Sequence, residues 1–109
     1  MIHVDKLAVV HDSAEIGDNS VIGPFCMVGE NTVIGSNTTL RSHVVVESHT
    51  LIGEECDIFP FVTLGIQSQD LKHVANTITH TEIGDRNTIR EFVSVHSGTE
   101  EGSKTRIGN

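Results

Sequence analysis

The chain has 109 residues, 20% of them charged, with a net charge of -8 and neither Trp nor Tyr. That length allows one domain, and the acidic balance disfavours phosphate backbones, so no nucleic-acid partner is expected. No apolar run approaches the roughly 18 residues of a membrane span, and the start MIHVDKLAVV lacks the basic lead of a secretory signal, so no membrane span and a cytoplasmic location are expected.

From Val4 onward an aliphatic residue returns at every sixth position: Val4, Val10, Ile16, Ile22, Val28, Ile34, Leu40, Val46, Ile52, Ile58 and Leu64. Helices would instead repeat apolar residues three and four apart. Two positions before each aliphatic residue stands a small or β-branched one, as in Ala14, Ser20, Cys26, Thr32, Thr38, Val44, Thr50 and Cys56. Glycine often follows the aliphatic residue, at Gly17, Gly23, Gly29, Gly35, Gly53 and Gly65. It admits both positive φ and close backbone approach, as a sharp corner requires. Fixed-period repeats of this kind specify a solenoid of short strands, with successive coils stacked as parallel ladders about 4.8 Å apart. The pattern resembles the hexapeptide-repeat proteins, whose three-sided coils take three hexads, and that resemblance implies three inward columns: Val4/Ile22/Leu40/Ile58, Val10/Val28/Val46/Leu64 and Ile16/Ile34/Ile52. The fold class is therefore all-β, a hexapeptide-repeat parallel β-helix of about five coils over residues 1–109. Cys26 and Cys56 fall in the small position of different columns and read as packing residues.

After Leu64 the next beat would be Asp70, a carboxylate that an aliphatic interior cannot accept without a large desolvation cost. The beat resumes at Ile83, Ile89 and Val95, with Thr81, Asn87 and Val93 in the small position, where Asn87 fits poorly. Leu64 and Ile83 are 19 positions apart, so an excursion is expected near 66–80, and a second near 97–105 before Ile107. Long excursions from a rigid scaffold commonly carry function.

The segments IGPFCMVGENTVIG, RSHVVVESHTLIG, GIQSQDLK and EIGDRNTIREFVSVHSGT resemble the acyl-carrier-protein-dependent UDP-N-acetylglucosamine O-acyltransferases, which begin lipid A synthesis. The likeness runs over essentially the whole chain. It implies a left-handed coil, an exception to the usual crossover rule, and a homotrimer. It also implies transfer of a (hydroxy)acyl chain from acyl carrier protein to the sugar 3-hydroxyl of UDP-N-acetylglucosamine, with no cofactor. In the family, the aspartate and lysine of QDLK hold the nucleotide sugar in a cleft between subunits. Here these are Asp70 and Lys72, with Gln69 beside them. A carboxylate suits a sugar hydroxyl, and an ammonium suits a pyrophosphate or carbonyl oxygen. His96, in VHSGT, matches a family active-site histidine and should point out of the coil.

The chain departs from the family where LKHVANTITH replaces an aromatic residue and a GEPT-like segment, and where Ser97 replaces the arginine of HRGT. The resemblance puts the general-base histidine in a later HxxHD-like segment, beyond Asn109, so no catalytic residue is assigned within the 109 residues. With Ile107 and Gly108 opening a hexad that is unfinished at Asn109, the chain reads as an N-terminal portion that does not turn over alone. Two further readings are a non-catalytic β-helix scaffold and another hexapeptide acyltransferase. Seven histidines invite a metal site, but His43 and His49 lie on adjacent prism faces and His3, His11, His73 and His80 show no common column, so none is expected.

Overall fold

A hexad accommodates two extended residues and a four-residue bend, and the chain uses both. The computed structural model describes residues 1–66, 80–96 and 104–108. The first coil holds β1 (His3–Val4), β2 (Val9–Val10) and β3 (Glu15–Ile16). The second holds β4 (Val21–Ile22), β5 (Met27–Val28) and β6 (Val33–Ile34). The third holds β7 (Thr39–Leu40), β8 (Val45–Val46) and β9 (Thr50–Ile52). In the fourth, β10 (Asp57–Ile58) and β11 (Thr63–Ile66) are followed by β12 (His80–Ile83). The fifth holds β13 (Thr88–Ile89), β14 (Ser94–His96) and β15 (Lys104–Ile107).

Every third strand joins the same sheet, giving three parallel five-stranded faces: β1-β4-β7-β10-β13, β2-β5-β8-β11-β14 and β3-β6-β9-β12-β15. The register sets Val4 against Ile22, Ile22 against Leu40 and Leu40 against Ile58, and the other two columns run as expected. Beyond the break the columns continue, with Ile89 above Ile58, Val95 above Leu64, and Ile83 then Ile107 above Ile52. Each coil donates to the next: the amides of Val21 and Gly23 reach the carbonyls of Thr38 and Leu40 at 3.0 and 2.8 Å. Ile22, Leu40, Ile58, Leu64 and Ile83 are fully buried. Val4 belongs to its column but is 42% exposed, because no described rung lies beneath it.

The corners correct one expectation. Except at Gly65, positive φ falls not on the glycine after the aliphatic residue but two positions later, at Asn19, Phe25, Asn31, Asn37, His43, His49, Glu55, Phe61, Arg86 and Phe92. The glycine serves close approach instead. A Cβ on Gly35 would lie 2.7 Å from the carbonyl carbon and oxygen of Gly53 in the next coil, and backbone cannot yield.

The small positions do more than save space. On the first face, Ser20 Oγ and Thr38 Oγ1 each donate at 2.7 Å to the carbonyls of Gly35 and Gly53, fifteen positions ahead. The Cys56 thiol donates to Gly84 O at 3.1 Å in the same role. Asn87, the apparent misfit, continues the row by donating to Gly84 O and Gly108 O at 3.0 and 2.9 Å. Cys26 and Cys56 are buried free thiols, and burial pushes the Cys26 thiol above its ordinary pKa.

Candidate functional site

Both breaks open at one edge of the prism, between the second and third faces. The described chain stops at Ile66 and resumes at His80, then stops at His96 and resumes at Lys104. Parallel pairing of β11 with β14 puts Ile66 beside His96 and interrupts the register between Leu64 and Ile66. Gly65 makes that bulge possible, at φ +77°. A side chain there would also collide with Thr50 Oγ1. His96 is exposed and projects from the wall. Gln69, Asp70 and Lys72 lie outside the described residues, and Gln69 follows Ile66 by only three positions in the chain. Asn109 lies outside them as well, so the structure describes nothing of the segment in which the general-base histidine was expected.

The same edge disturbs the hydroxyl row of the third face. Thr32 Oγ1 donates to Glu47 O at 3.3 Å, fifteen positions ahead. The corresponding carbonyl for Thr50 belongs to Gly65, where the backbone leaves the ordinary corner geometry. For Thr81 it belongs to His96, at the end of β14. Among the described residues, buried Thr50 Oγ1 and Thr81 Oγ1 have no hydrogen-bond partner. Donors that find acceptors elsewhere in the prism are thus orphaned beside the breaks, and such groups are costly to hold.

On the outer surface of this edge a notch of about 280 Å³ is lined by Asn31, His49, His80 and Glu82 over an apolar floor that includes Val33 and Leu51. The rings of His49 and His80 meet edge to face with centroids 5.7 Å apart. Arg106 reaches Glu82 at 3.8 Å. The notch thus offers imidazole and amide hydrogen-bonding groups on a partly apolar surface, the usual composition of a small-molecule site. The pairing of His49 with His80 escapes a six-residue count, because residues 67–79 intervene between rungs that are otherwise 18 apart. Adding the length of the break to the period would have found it. His43 and His49 do stand on different edges, stacked with different neighbours. Among the described residues, no group of three or more His, Cys, Asp or Glu side chains could hold a metal ion. No helix among them is long and apolar enough to cross a membrane.

No protein-family model matches the chain. The acyl-[acyl-carrier-protein]–UDP-N-acetylglucosamine O-acyltransferase of Psychrobacter cryohalolentis is 51% identical over 59 residues, covering 53% of this chain and 22% of that enzyme. The solved UDP-N-acetylglucosamine acyltransferase of Francisella novicida superposes with a TM-score of 0.93 at 42% identity, over 97% of this chain and 39% of its own. LpxA of Acinetobacter baumannii gives 0.91 at 41% identity, over 97% of this chain and 41% of its own. This chain therefore spans about two fifths of the length of those solved relatives. The superpositions agree with a left-handed parallel β-helix. The chain is thus similar to the UDP-N-acetylglucosamine O-acyltransferases in sequence over 59 residues and in superposed structure over 97% of its length.

Proposed function

We propose that this chain supplies the nucleotide-sugar side of an acyl transfer from acyl carrier protein to the 3-hydroxyl of UDP-N-acetylglucosamine, the first step of lipid A biosynthesis. The reading extends to a cytoplasmic homotrimer. One observation carries it: the QDLK motif begins three positions after Ile66, the residue that stands beside His96 on the neighbouring rung. Ile66, which precedes the motif, and His96 of VHSGT stand at one edge of the prism, which supports the reading.

The chemistry suits the ligand. The Asp70 carboxylate accepts hydrogen bonds from sugar hydroxyls, and the Lys72 ammonium offsets pyrophosphate charge. Gln69 offers an amide beside them, and the exposed His96 imidazole contributes a further polar contact. A chain of net charge -8 gains little from general electrostatic attraction to an anionic ligand. Recognition then has to come from these local groups. The proton transfer from the sugar hydroxyl is assigned to no residue up to Asn109, because the 109 residues contain no HxxHD-like segment. Taken alone they bind and do not turn over.

Isothermal titration with UDP-N-acetylglucosamine tests the reading. Micromolar to millimolar binding that is lost in Asp70→Ala, with the circular dichroism unchanged, is the expected result. Absence of binding by the unaltered chain overturns it in favour of the scaffold.

A further inference from the structure

The notch described above sets two imidazoles against each other on neighbouring rungs. His49 stands in the corner before β9, in left-handed backbone at φ 61°, and its amide donates to Glu30 O at 3.0 Å. His80 opens β12 one rung above, where the Thr81 amide donates to His49 O at 3.2 Å. The ladder therefore fixes both backbones, and the rings meet at 72° with centroids 5.7 Å apart. His80 is exposed and His49 is half-buried, so both reach the notch from a rigid wall. Other histidines are engaged elsewhere. His43 is held between Phe25 and Phe61 at 5.0 and 4.9 Å, in a phenylalanine column that continues to Phe92. His11 Nδ1 lies 2.9 Å from Ser13 Oγ.

We propose that His49 and His80 are the two protein ligands of a divalent transition-metal ion of the Zn²⁺ type, with water completing its coordination. The inference does not rest on the nucleotide-sugar reading.

Imidazole nitrogen suits Zn²⁺, Cu²⁺ and Ni²⁺, and three features of the notch favour such an ion. The first is geometry. With metal–nitrogen bonds of about 2.0–2.1 Å, two rings on one tetrahedral ion have their centres about 5.2 Å apart. Small turns about the side-chain bonds close the difference from the observed 5.7 Å. The second is room. The notch holds about 280 Å³, against roughly 30 Å³ for one water, so a bound ion keeps its remaining waters. The third is charge. Glu82 follows His80 by two positions on the same strand and lines the notch, which favours a cation there, although Arg106 at 3.8 Å from Glu82 offsets part of that field. The net charge of -8 acts in the same direction. Two imidazoles do not close a coordination shell, so the site is open and exchangeable, unlike a structural site with four protein ligands. An ion held by both clips the rung before residues 67–79 to the rung after them, and stabilises the folded chain by mass action.

The test is isothermal titration of the untagged 109-residue chain with Zn²⁺, alongside His80→Gln, His49→Asn and the control His11→Gln. Asn replaces His49 because it tolerates a left-handed corner. The unaltered chain and the control should each bind one Zn²⁺. Either ligand variant should bind at least about tenfold more weakly, since even the loss of a partner behind a metal ligand costs about 10–100-fold. Circular dichroism shows whether the variants keep their sheets. Should His49→Asn lose them, His80→Gln at the exposed position decides. Electron paramagnetic resonance of the Cu²⁺-loaded chain reads the ligands directly, with two coupled imidazole nitrogens expected in the unaltered chain and one in His80→Gln. Absence of Zn²⁺ binding up to millimolar concentration overturns the proposal. So does equal binding by the folded ligand variants, or a pair of coupled nitrogens that survives His80→Gln.

Discussion

Replacing Leu40 by alanine removes three carbons from the middle of a stack. Leu40 is fully buried, with Ile22 on one side and Ile58 on the other. Its neighbours are held by ladder hydrogen bonds above and below, so the gap cannot close. Substitutions of this kind cost about 2.7–5 kcal/mol. Val4→Ala is the matched comparison at the end of the same column. It removes two methyl groups, worth about 1.6 kcal/mol when fully buried, from a side chain that is 42% exposed and backed by a single described rung. Its cost should stay near 1 kcal/mol or below. At about 4–8 °C per kcal/mol for a domain of this size, Leu40→Ala should lower Tm by roughly 10–40 °C, and Val4→Ala by about 8 °C or less. Thermal unfolding followed by circular dichroism reads both, at one fixed protein concentration because assembly shifts apparent stability. Equal losses from the two, or less than about 1 kcal/mol from Leu40, would refute an interior built of stacked rungs.

The buried hydroxyls give a second pair. Thr38 Oγ1 donates to Gly53 O and accepts from the Cys56 amide at 3.2 Å. Thr38→Val should therefore cost about 1–3 kcal/mol, because it strands buried backbone groups. Thr50 Oγ1 has no partner among the described residues to lose, so Thr50→Val should be near neutral, and urea titration separates the two. Acid dependence gives a third prediction. The Arg41 hydrogen bond holds the Asp57 carboxyl below its ordinary pKa. A depressed folded pKa means stability present above the unfolded value of about 3.9 and lost as pH falls through the lower folded value. Asp57→Asn should thus be destabilising at neutral pH and progressively less so in acid, with added salt shrinking the difference because the pair is exposed. A difference that grows in acid would reverse the assignment.

Much of the fold was legible because one physical demand repeats. A narrow interior admits only aliphatic side chains, so Ile22, Leu40 and Ile58 announce a column by spacing alone. Corner geometry was less legible, because left-handed φ falls on Phe25, His43 and Glu55 as readily as on Asn19. The stack tolerates that cost wherever the ladder fixes the turn, so residue type carries little signal. Asn87 looked wrong for its position because volume was the only criterion applied, whereas the site asks for a hydrogen-bond donor. At the candidate site, the exposed place of His96 on the prism wall was legible from its hexad position. His49 with His80, and Phe61 with Phe92, stayed hidden because the excursion shifts the count between rungs. The orphaned Thr50 and Thr81 hydroxyls depend on which carbonyl faces them, which no periodicity encodes.

The most direct test of the central claim is a heteronuclear NMR titration of the isotope-labelled chain with UDP-N-acetylglucosamine. The account predicts saturable shift changes centred on Ile66, His80 and His96 at the edge where the excursions begin, with Val9 and Met27 on the second face unmoved. No change at saturating nucleotide sugar, or changes centred on the phenylalanine column, would contradict it.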